Sequence, residues 1–300
     1  SFVYDGLGRL KLSTDLAGGI TTIVFNDAAT TTSVTTASGY TTISTYNKAG
    51  ELISKSDSGA DTVGGTSAYL YDKSGQVRRA SDALGNKSYF LYDKAGKKIA
   101  DIGHDGQIVE YRYNETSGRL IATVRYNTYL TTAQLATLDN PLSEVEMVSI
   151  RPGGTAADIL RWTIYDTGGR VIGNIAGDGA VSAFEYDKSD RLVKTTSYFN
   201  KLTPAQVSGY ITTPPTALTL PTADGARDII VRSFYDGDGR LIGALNGEGF
   251  LSEVIYDQAG QKIQEIGYAN ITLAANRASG SFATLKSALA NTAKDASTRY

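Results

Sequence analysis

Apolar and polar residues alternate along much of the chain, a pattern typical of half-buried β-strands. In residues 108–113, one face of the predicted strand carries Val109, Tyr111 and Tyr113, and the other face is mixed. Two positions before a recurrent Tyr, the residue is again aromatic or apolar, so it shares a face of the strand with that Tyr. These positions are Phe2, Tyr69, Phe90, Tyr111, Phe184 and Val254. The pattern predicts strands whose aromatic residues form a continuous seam, in which most Tyr pack against neighbouring hairpins.

The recurrent Tyr begins a repeated motif, Tyr-Asp-x-x-Gly-Arg followed by an apolar residue. The spacings from 71 to 92, 92 to 113, 165 to 186 and 235 to 256 are all 21 residues, and 4 to 46 is twice 21, with Phe25-Asn26 as a degenerate midpoint copy. The motif residues are Tyr4, Asp5, Gly8, Arg9, Tyr46, Gly50, Tyr71, Asp72, Gly75, Tyr92, Asp93, Gly96, Tyr113, Gly118, Arg119, Tyr165, Asp166, Gly169, Arg170, Tyr186, Asp187, Arg191, Tyr235, Asp236, Gly239, Arg240, Tyr256, Asp257 and Gly260. Fixed periodicity of this kind predicts a repeat architecture.

Each 21-residue unit is predicted to be a β-hairpin with two turns. The Asp side chain after the Tyr hydrogen-bonds the backbone two residues on, and the Gly provides the positive φ that closes the turn. The Arg opens the return strand, where its guanidinium stacks on a neighbouring ring or pairs with a turn carboxylate. A second Gly follows 14 residues after the Tyr, at Gly18, Gly39, Gly85, Gly106, Gly179 and Gly249.

A longer period of about 70 residues separates Tyr165 from Tyr235 and brings insertions after pairs of hairpins. The insertions are predicted at about 127–160, 199–230 and 269–298, within residues 126–300, whereas residues 1–125 lack them. Thr131 and Thr203 are predicted helix N-caps, and Pro204 fits the first helical position. The segment from Phe282 to Lys294 is rich in Ala, Leu and Lys and is predicted to be helical. Short helices are therefore expected to decorate one continuous repeat array.

Composition removes most catalytic chemistry from consideration. The chain has no Cys, so it lacks disulfides, thiolate metal sites and a Cys nucleophile, and its one His, His104, excludes a multi-His site. The 29 basic residues against 31 acidic ones give a net charge of −2, which argues against a nucleic-acid partner. No apolar run is long enough for a transmembrane helix. We predict no catalytic residue, no metal ligand and no cofactor.

Three features invite sharper interpretations. His104 precedes Asp105, but in the repeat frame it occupies a turn position, so a solvated turn residue is predicted. Asp236 to Gly239 resembles the start of a calcium loop, yet Arg240 and Gly247 stand where ligands are required, so an ordinary repeat is predicted. The many Tyr rings are an alternative platform for sugars, although their recurrence at structural positions favours packing.

The recurrent motif resembles the YD repeat, also called the Rhs repeat, over most of the chain outside the insertions. The resemblance implies tandem antiparallel β-hairpins wound as a spiral shell or tube. The family includes bacterial polymorphic toxins and insecticidal toxin-complex components, whose shell encloses a cargo polypeptide, and teneurin-like surface proteins. No segment corresponding to the family's aspartate-based self-cleaving module is recognisable. We expect a fragment that is cut within the array at both ends.

The sequence therefore predicts an all-β, non-enzymatic scaffold in a large extracellular or cell-surface bacterial protein, in shell or filament form. Its expected partners are further repeats of the same polypeptide or other copies of itself. Two alternatives remain open. One is the encapsulating shell of a toxin whose activity lies in a cargo, and the other is an adhesin for glycans or cell surfaces. The insertions are the expected place for variable contacts.

Overall fold

The structure, a computed structural model, describes residues 1–59, 62–139, 145–287, 289 and 294–300. The chain separates into two compact units, residues 1–111 with 124–158, and residues 112–123 with 159–300. Strands dominate both units, and the helices are short. The predicted fold class, all-β with antiparallel hairpin repeats and short helical insertions, is confirmed.

The strands, in chain order, are β1 (Phe2–Tyr4), β2 (Leu10–Thr14), β3 (Ile20–Asn26), β4 (Thr31–Thr35), β5 (Thr41–Tyr46), β6 (Leu52–Gly59), β7 (Thr62–Tyr71), β8 (Val77–Ser81), β9 (Lys87–Tyr92), β10 (Lys98–Ile102), β11 (Ile108–Tyr113), β12 (Leu120–Arg125), β13 (Ile159–Tyr165), β14 (Val171–Ala176), β15 (Val181–Tyr186), β16 (Leu192–Ser197), β17 (Ile229–Tyr235), β18 (Leu241–Leu245), β19 (Phe250–Tyr256), β20 (Lys262–Ile271) and β21 (Ala296–Arg299). The helices are α1 (Thr132–Asp139), α2 (Met147–Ile150), α3 (Pro204–Thr212), α4 (Ala274–Arg277) and α5 (Phe282–Lys286).

Each strand pairs antiparallel with its neighbour in sequence. In the first unit this holds from β1 through β11. In the second unit it holds from β13 through β21. The motif Tyr lies opposite the residue six positions later, as in the pairs Tyr71–Val77 and Tyr186–Leu192, with a bulge beside it. The constant bulge keeps the same register in successive hairpins.

Both turns of a unit have the same construction. At the motif turn of Asp72, the Asp72 N–H donates to the Gln76 carbonyl (2.9 Å) and the Gly75 N–H donates to the Asp72 carbonyl (3.2 Å). Gly75 has φ 79°, the left-handed conformation that follows a type I turn in such hairpins. Where the motif lacks Gly, Asp190 takes this conformation with φ 61°, and in the degenerate copy Thr30 takes it with φ 51°. The predicted second-turn glycines have φ between 80° and 95°.

The predicted helix starts are confirmed. Thr203 caps α3 by accepting from the Gln206 N–H, and Pro204 stands in its first turn. Thr131 accepts from the Gln134 N–H at the start of α1 in the same way. The third predicted helix is shorter than expected, because α5 ends at Lys286. Residues 288 and 290–293 of that prediction lie outside the described residues.

Burial among the described residues begins at Tyr89 and continues through the hairpins that carry insertions. Among the described residues before Tyr89, no side chain is buried. After it, strand residues such as Ile108, Ile175 and Leu245 are fully buried. The third insertion packs Leu285 and Leu289 against β17 to β20. The predicted short helical insertions are confirmed, and side chains of the third insertion are part of a hydrophobic core.

Candidate functional site

The motif Asp organises its turn through both carboxylate oxygens. In Asp72, Oδ1 accepts from the N–H groups of Ser74 (2.8 Å) and Gln76 (2.9 Å). Where Arg stands four positions after the motif Asp, Oδ2 also accepts from the guanidinium Nε, at 2.7 to 2.8 Å. These pairs are Arg9–Asp5, Arg170–Asp166, Arg191–Asp187 and Arg240–Asp236. The backbone N–H and the guanidinium of this Arg hold the pKa of Asp5, Asp166 and Asp236 below its usual value.

The same guanidinium lies over the aromatic ring at the start of the next unit. Cζ of Arg191 is 3.9 Å from the centroid of the Tyr235 ring, and Cζ of Arg170 is 4.9 Å from that of Tyr186. The further pairs are Arg9–Phe25, Arg119–Tyr165 and Arg240–Tyr256. One Arg thus pairs with its own turn and stacks on the following hairpin, which links two consecutive hairpin repeats.

The motif Tyr hydroxyl makes the second link between consecutive hairpin repeats. It donates to the backbone carbonyl of the return strand in the preceding hairpin, at 2.9 to 3.0 Å. These bonds join Tyr71 to Leu52, Tyr92 to Val77, Tyr165 to Leu120, Tyr186 to Val171 and Tyr256 to Leu241. Burial raises the pKa of Tyr71 and Tyr92. We call the Tyr–carbonyl bond, together with the Arg–ring contact where the preceding motif contains Arg, the hairpin joint.

Motif Tyr residues contact neighbouring hairpins, as predicted, but they do so through a backbone carbonyl and an Arg and not through ring pairs. Two ring pairs are found among the described residues, Trp162–Tyr210 and Phe234–Phe282, and neither contains a motif Tyr. The reason is geometric: motif Tyr residues recur on every second strand, so adjacent ones are about 9–10 Å apart. An Arg fills that gap in several joints, and the seam alternates rings with guanidinium groups.

Each insertion starts by binding to the second-turn Gly of the hairpin pair that it follows. The N–H of Leu130 donates to the Gly106 carbonyl (2.8 Å), and that of Leu202 donates to Gly179 (2.9 Å). In the third insertion, Thr272 donates to Gly249. A Cβ on Gly179 would lie 2.5 Å from the Leu202 carbonyl oxygen, so this position needs Gly for space as well as for its φ of +85°.

An Asp at the end of each insertion accepts a hydrogen bond from a backbone N–H near its start. Asp158 Oδ1 accepts from the N–H of Asn127 (2.8 Å), and Asp228 Oδ1 accepts from that of Phe199 (2.9 Å). Asp295 accepts from Ala269 in the third copy. Asp158 and Asp228 are both buried. The bond ties the two ends of each insertion together where it leaves and re-enters the strands.

One strand position contacts the insertion through a different side chain in each copy. It lies three residues before the first motif Tyr of a hairpin pair, that is, before Tyr92, Tyr165 and Tyr235. The Tyr89 hydroxyl donates to Asp139 (3.1 Å) at the end of α1. Trp162 meets Tyr210 of α3 edge to face, with centroids 5.7 Å apart. Arg232 donates to the carbonyl of Gly280 (2.6 Å). Burial, with Asp139 beside it, raises the pKa of Tyr89 to about 12.

A buried carboxylate supports the first and third insertions. Glu110 accepts from the hydroxyl of Tyr126 (2.5 Å) and from the Arg151 guanidinium (2.6 Å). Glu253 likewise accepts from Tyr268 (2.5 Å) and from Lys286 (2.6 Å). Glu110 and Glu253 are 3% and 8% exposed, so a hydrogen-bonded cation offsets the cost of burying each charge.

The equivalent position in the second pair is Ala183, and the equivalent Tyr is Tyr198. Burial raises the pKa of Tyr198. The chain therefore contains its own variant of the Glu–Tyr arrangement, without the carboxylate.

These insertion contacts were missed by sequence reasoning. The repeat frame held a signal for the closing carboxylates, because Asp158 and Asp228 are 70 residues apart, as are Tyr165 and Tyr235. The position three residues before the first motif Tyr of each pair gave no signal, since its occupants Tyr89, Trp162 and Arg232 share no chemistry.

The positions singled out for sharper chemistry lie in turns. His104 is exposed in the turn between Gly103 and Gly106, as predicted. Asp236 accepts from the N–H groups of Asp238 and Arg240, so its carboxylate serves the turn. In the described part of the chain, no group of three or more acidic or His side chains is placed to hold a metal ion. No helix there is long and apolar enough to cross a membrane.

A half-open cleft of about 590 Å³ lies in the first unit. It is bounded by the motif turns at Asp72 and Asp93, by Phe90 of β9, and by Met147 of α2. Arg78 reaches across it to the Leu138 carbonyl (3.4 Å).

Comparison with known proteins finds matches of low similarity, all of them among solved structures. No family model and no curated protein matches it. Among solved structures, the Tc holotoxin pore of Photorhabdus luminescens is 15% identical with a TM-score of 0.47, and a TcdB2-TccC3 crystal structure is 14% identical with 0.48. Each covers 89% of this chain, which spans 14% of their length. A porin-like protein from Bacteroides uniformis covers 65% of the chain at a TM-score of 0.19.

Proposed function

We propose that the chain is a stretch of YD-repeat scaffold in a secreted or surface-exposed bacterial protein, without catalysis of its own. The observation that carries the proposal is the hairpin joint. In repeated copies, the motif side chains are engaged in holding a turn or the next hairpin, as in Tyr186 and Arg170. Residues 1–125 and 126–300 are then two stretches of one array, the second with insertions.

The resemblance of the motif to YD repeats supports the spiral arrangement and the extracellular location in this proposal. A lone hairpin is marginal in water, so each unit depends on its neighbours for stability. The partners are accordingly further repeats of the same polypeptide or other copies of it. No cofactor enters this function.

A second candidate function is the wall of a shell that encloses a cargo polypeptide. It is supported by the difference between the two faces of the hairpins. Within each compact unit, the insertions cover one face of the hairpins, on which Ile102 in the first unit and Ile175 in the second are buried, whereas the joints lie on the other face. A wall with an inner and an outer surface has this asymmetry. In this function, the biological activity belongs to the enclosed cargo.

The test is electron microscopy of the natural polypeptide that contains this segment, together with limited proteolysis. A closed capsule with a protease-protected interior supports the wall function. A fibre supports the scaffold function without containment. Particles in which the segment forms neither, combined with turnover of a substrate by the isolated chain, would overturn both.

The adhesin alternative is tested separately on a glycan array. Saturable binding that is lost when Tyr129 or Phe199, two exposed rings of the insertions, is changed to Ala supports it. A chain that binds no glycan contradicts it and leaves the scaffold proposal standing.

A further inference from the structure

One face of the uninserted hairpins carries no charge over six strands. Directly paired residues share a face, so the row Leu12, Thr22, Thr35, Thr41 and Ser58 runs across β2 to β6 on this face. The next row, Val24, Ser33, Ile43, Ser56 and Thr66, runs across β3 to β7. We call the surface formed by these two rows the charge-free face.

The opposite face of the same strands differs in chemistry. There Lys11 lies on β2, and Lys55 pairs with Asp57 on β6 (3.3 Å). Solvated strand faces normally carry charges of this kind, which favour solubility and oppose association. The charge-free face therefore lacks the usual protection against contact with another sheet, which β2 and β6 carry on their other side.

The charge-free face is continuous, within the first unit, with a surface that is already covered. Ala68 on β7 pairs with Ser81, and Ser81 with Lys87 on β9. On this continuation Arg79 and Lys87 hold Asp139 of the first insertion, at 3.1 and 2.6 Å. In the covered part, ion pairs hold the first insertion, whereas the charge-free face has no charged side chain that could form such a pair with an insertion.

Aliphatic side chains protrude from the uncovered part. Val24 is 57% exposed and Ile43 is 41% exposed. Their neighbours are Thr and Ser, whose hydroxyls both donate and accept, and Thr35 and Thr41 already bond to each other at 2.9 Å. Small side chains also allow two sheets to approach to the usual packing distance of about 10 Å.

We propose that the charge-free face is a self-association surface, and that its occupant is the same face of a second copy of this chain. Charge complementarity carries the choice of partner. A face with net charge repels its own copy across a two-fold axis, because every residue occurs twice in such a contact, and a neutral face does not. Hydroxyl groups that donate and accept are complementary to themselves. This inference rests on the scaffold function in one respect, since it assigns a surface to one of the partners proposed there, other copies of the chain.

The size of the face sets the expected strength. Six strands span about 24 Å at roughly 4.8 Å per step, and a depth of about 20 Å gives an area on the order of 500 Å² per copy. Stable interfaces bury about 800 Å² per partner, so the contact should be weak, with a Kd on the order of 100 µM. Longer arrays would multiply the contact along the repeat.

Sedimentation equilibrium of the full chain, from about 10 µM to about 500 µM to bracket this Kd, is the direct test. We expect a reversible monomer–dimer equilibrium. Thr22→Lys and Val24→Lys, at exposed positions of the charge-free face, should each weaken it by at least about tenfold. Thr21→Lys is the matched control, since Thr21 neighbours Thr22 on β3 and points to the opposite face. Thermal unfolding of all three variants checks that they remain folded.

A chain that stays monomeric throughout this range overturns the proposal. It is also overturned if Thr21→Lys weakens the dimer as much as Thr22→Lys does. Binding of the wild-type monomer to an insoluble neutral polysaccharide, lost in Thr22→Lys, would instead assign the face to a different partner and contradict self-association. Failure of any of these leaves the hairpin joints untouched.

Discussion

Residues 1–88 and the part of the chain from Tyr89 onward are built from the same hairpin repeat, but they differ in how far equivalent side chains are buried. Sixteen residues after the motif Tyr, the first hairpin has Ile20, which is 49% exposed, whereas Ile108 at the same frame position is fully buried. Ten residues after the Tyr, Thr14 stands where Ile102 does. Apart from the degenerate β3–β4 hairpin, turns and register are the same in both regions, so we attribute the difference to the insertions. The repeat motif makes hairpins, and the insertions make the core.

The largest difference between the regions is expected from truncation of the shared Ile position. Ile108→Ala should reduce the free energy of unfolding by about 2–5 kcal/mol, because it leaves a cavity under the first insertion. Ile20→Ala, at the exposed equivalent, should cost under about 1 kcal/mol. Denaturant unfolding of the two variants measures both values. Equal losses would mean that the insertions do not form the core.

The next effect concerns the buried carboxylates. Glu253→Ala should destabilise the chain by about 1–3 kcal/mol, because it leaves the buried hydroxyl of Tyr268 without its partner, whereas the half-exposed Lys286 can be solvated. Thr22→Ala, at the same frame position in the uninserted region, should change stability by less than about 0.5 kcal/mol. Chemical denaturation decides between these values. A neutral Glu253→Ala would contradict the supporting role of the Glu–Tyr arrangement.

A smaller effect separates the two kinds of second turn. Gly39→Ala should cost about 1–2 kcal/mol from the left-handed conformation alone, since no atom lies near its Cβ. Gly179→Ala carries the same conformational cost and also pushes against the Leu202 carbonyl, so its loss should exceed that of Gly39→Ala by about 1 kcal/mol or more. Thermal unfolding of the pair provides the comparison, and the reverse order would rule out the binding of the second insertion at Gly179.

The smallest effect should be the same in both regions. Tyr71→Phe in the uninserted part and Tyr186→Phe in the inserted part each remove one hydroxyl–carbonyl bond at a joint. Each should cost about 1 kcal/mol. Unfolding midpoints that agree for the two variants support a common joint. A loss confined to Tyr186→Phe would show that the joint acts only beneath an insertion.

The sequence was sufficient for the hairpins because their signals are local. The Asp that bonds the backbone two residues on and the Gly that supplies a positive φ lie within one turn, so spacing alone predicts them. The capping of α3 by Thr203 was predictable for the same reason. Side chains such as Glu253 meet partners that are distant in sequence, and no periodic signal names those partners.

Alternation predicted which face of the strands carries the motif Tyr residues, but it did not predict the groups that these residues contact. Alternation correctly assigns the motif Tyr and the residue two positions before it to one face. It does not show that consecutive Tyr stand two strands apart, nor that an Arg such as Arg191 fills the gap over Tyr235. Likewise, composition showed that the insertions are helical but not that they cover Ile108 or Ile175.

Native-state hydrogen exchange tests most directly the claim that insertions provide the core of an otherwise uniform hairpin array. Amides of β14 and β15, under the second insertion, should open with a free energy several kcal/mol higher than those of β3 and β4. Their exchange should therefore be slower by at least about a hundredfold. Equal protection in the two regions would contradict the claim, because hairpin joints alone would then account for the stability of both.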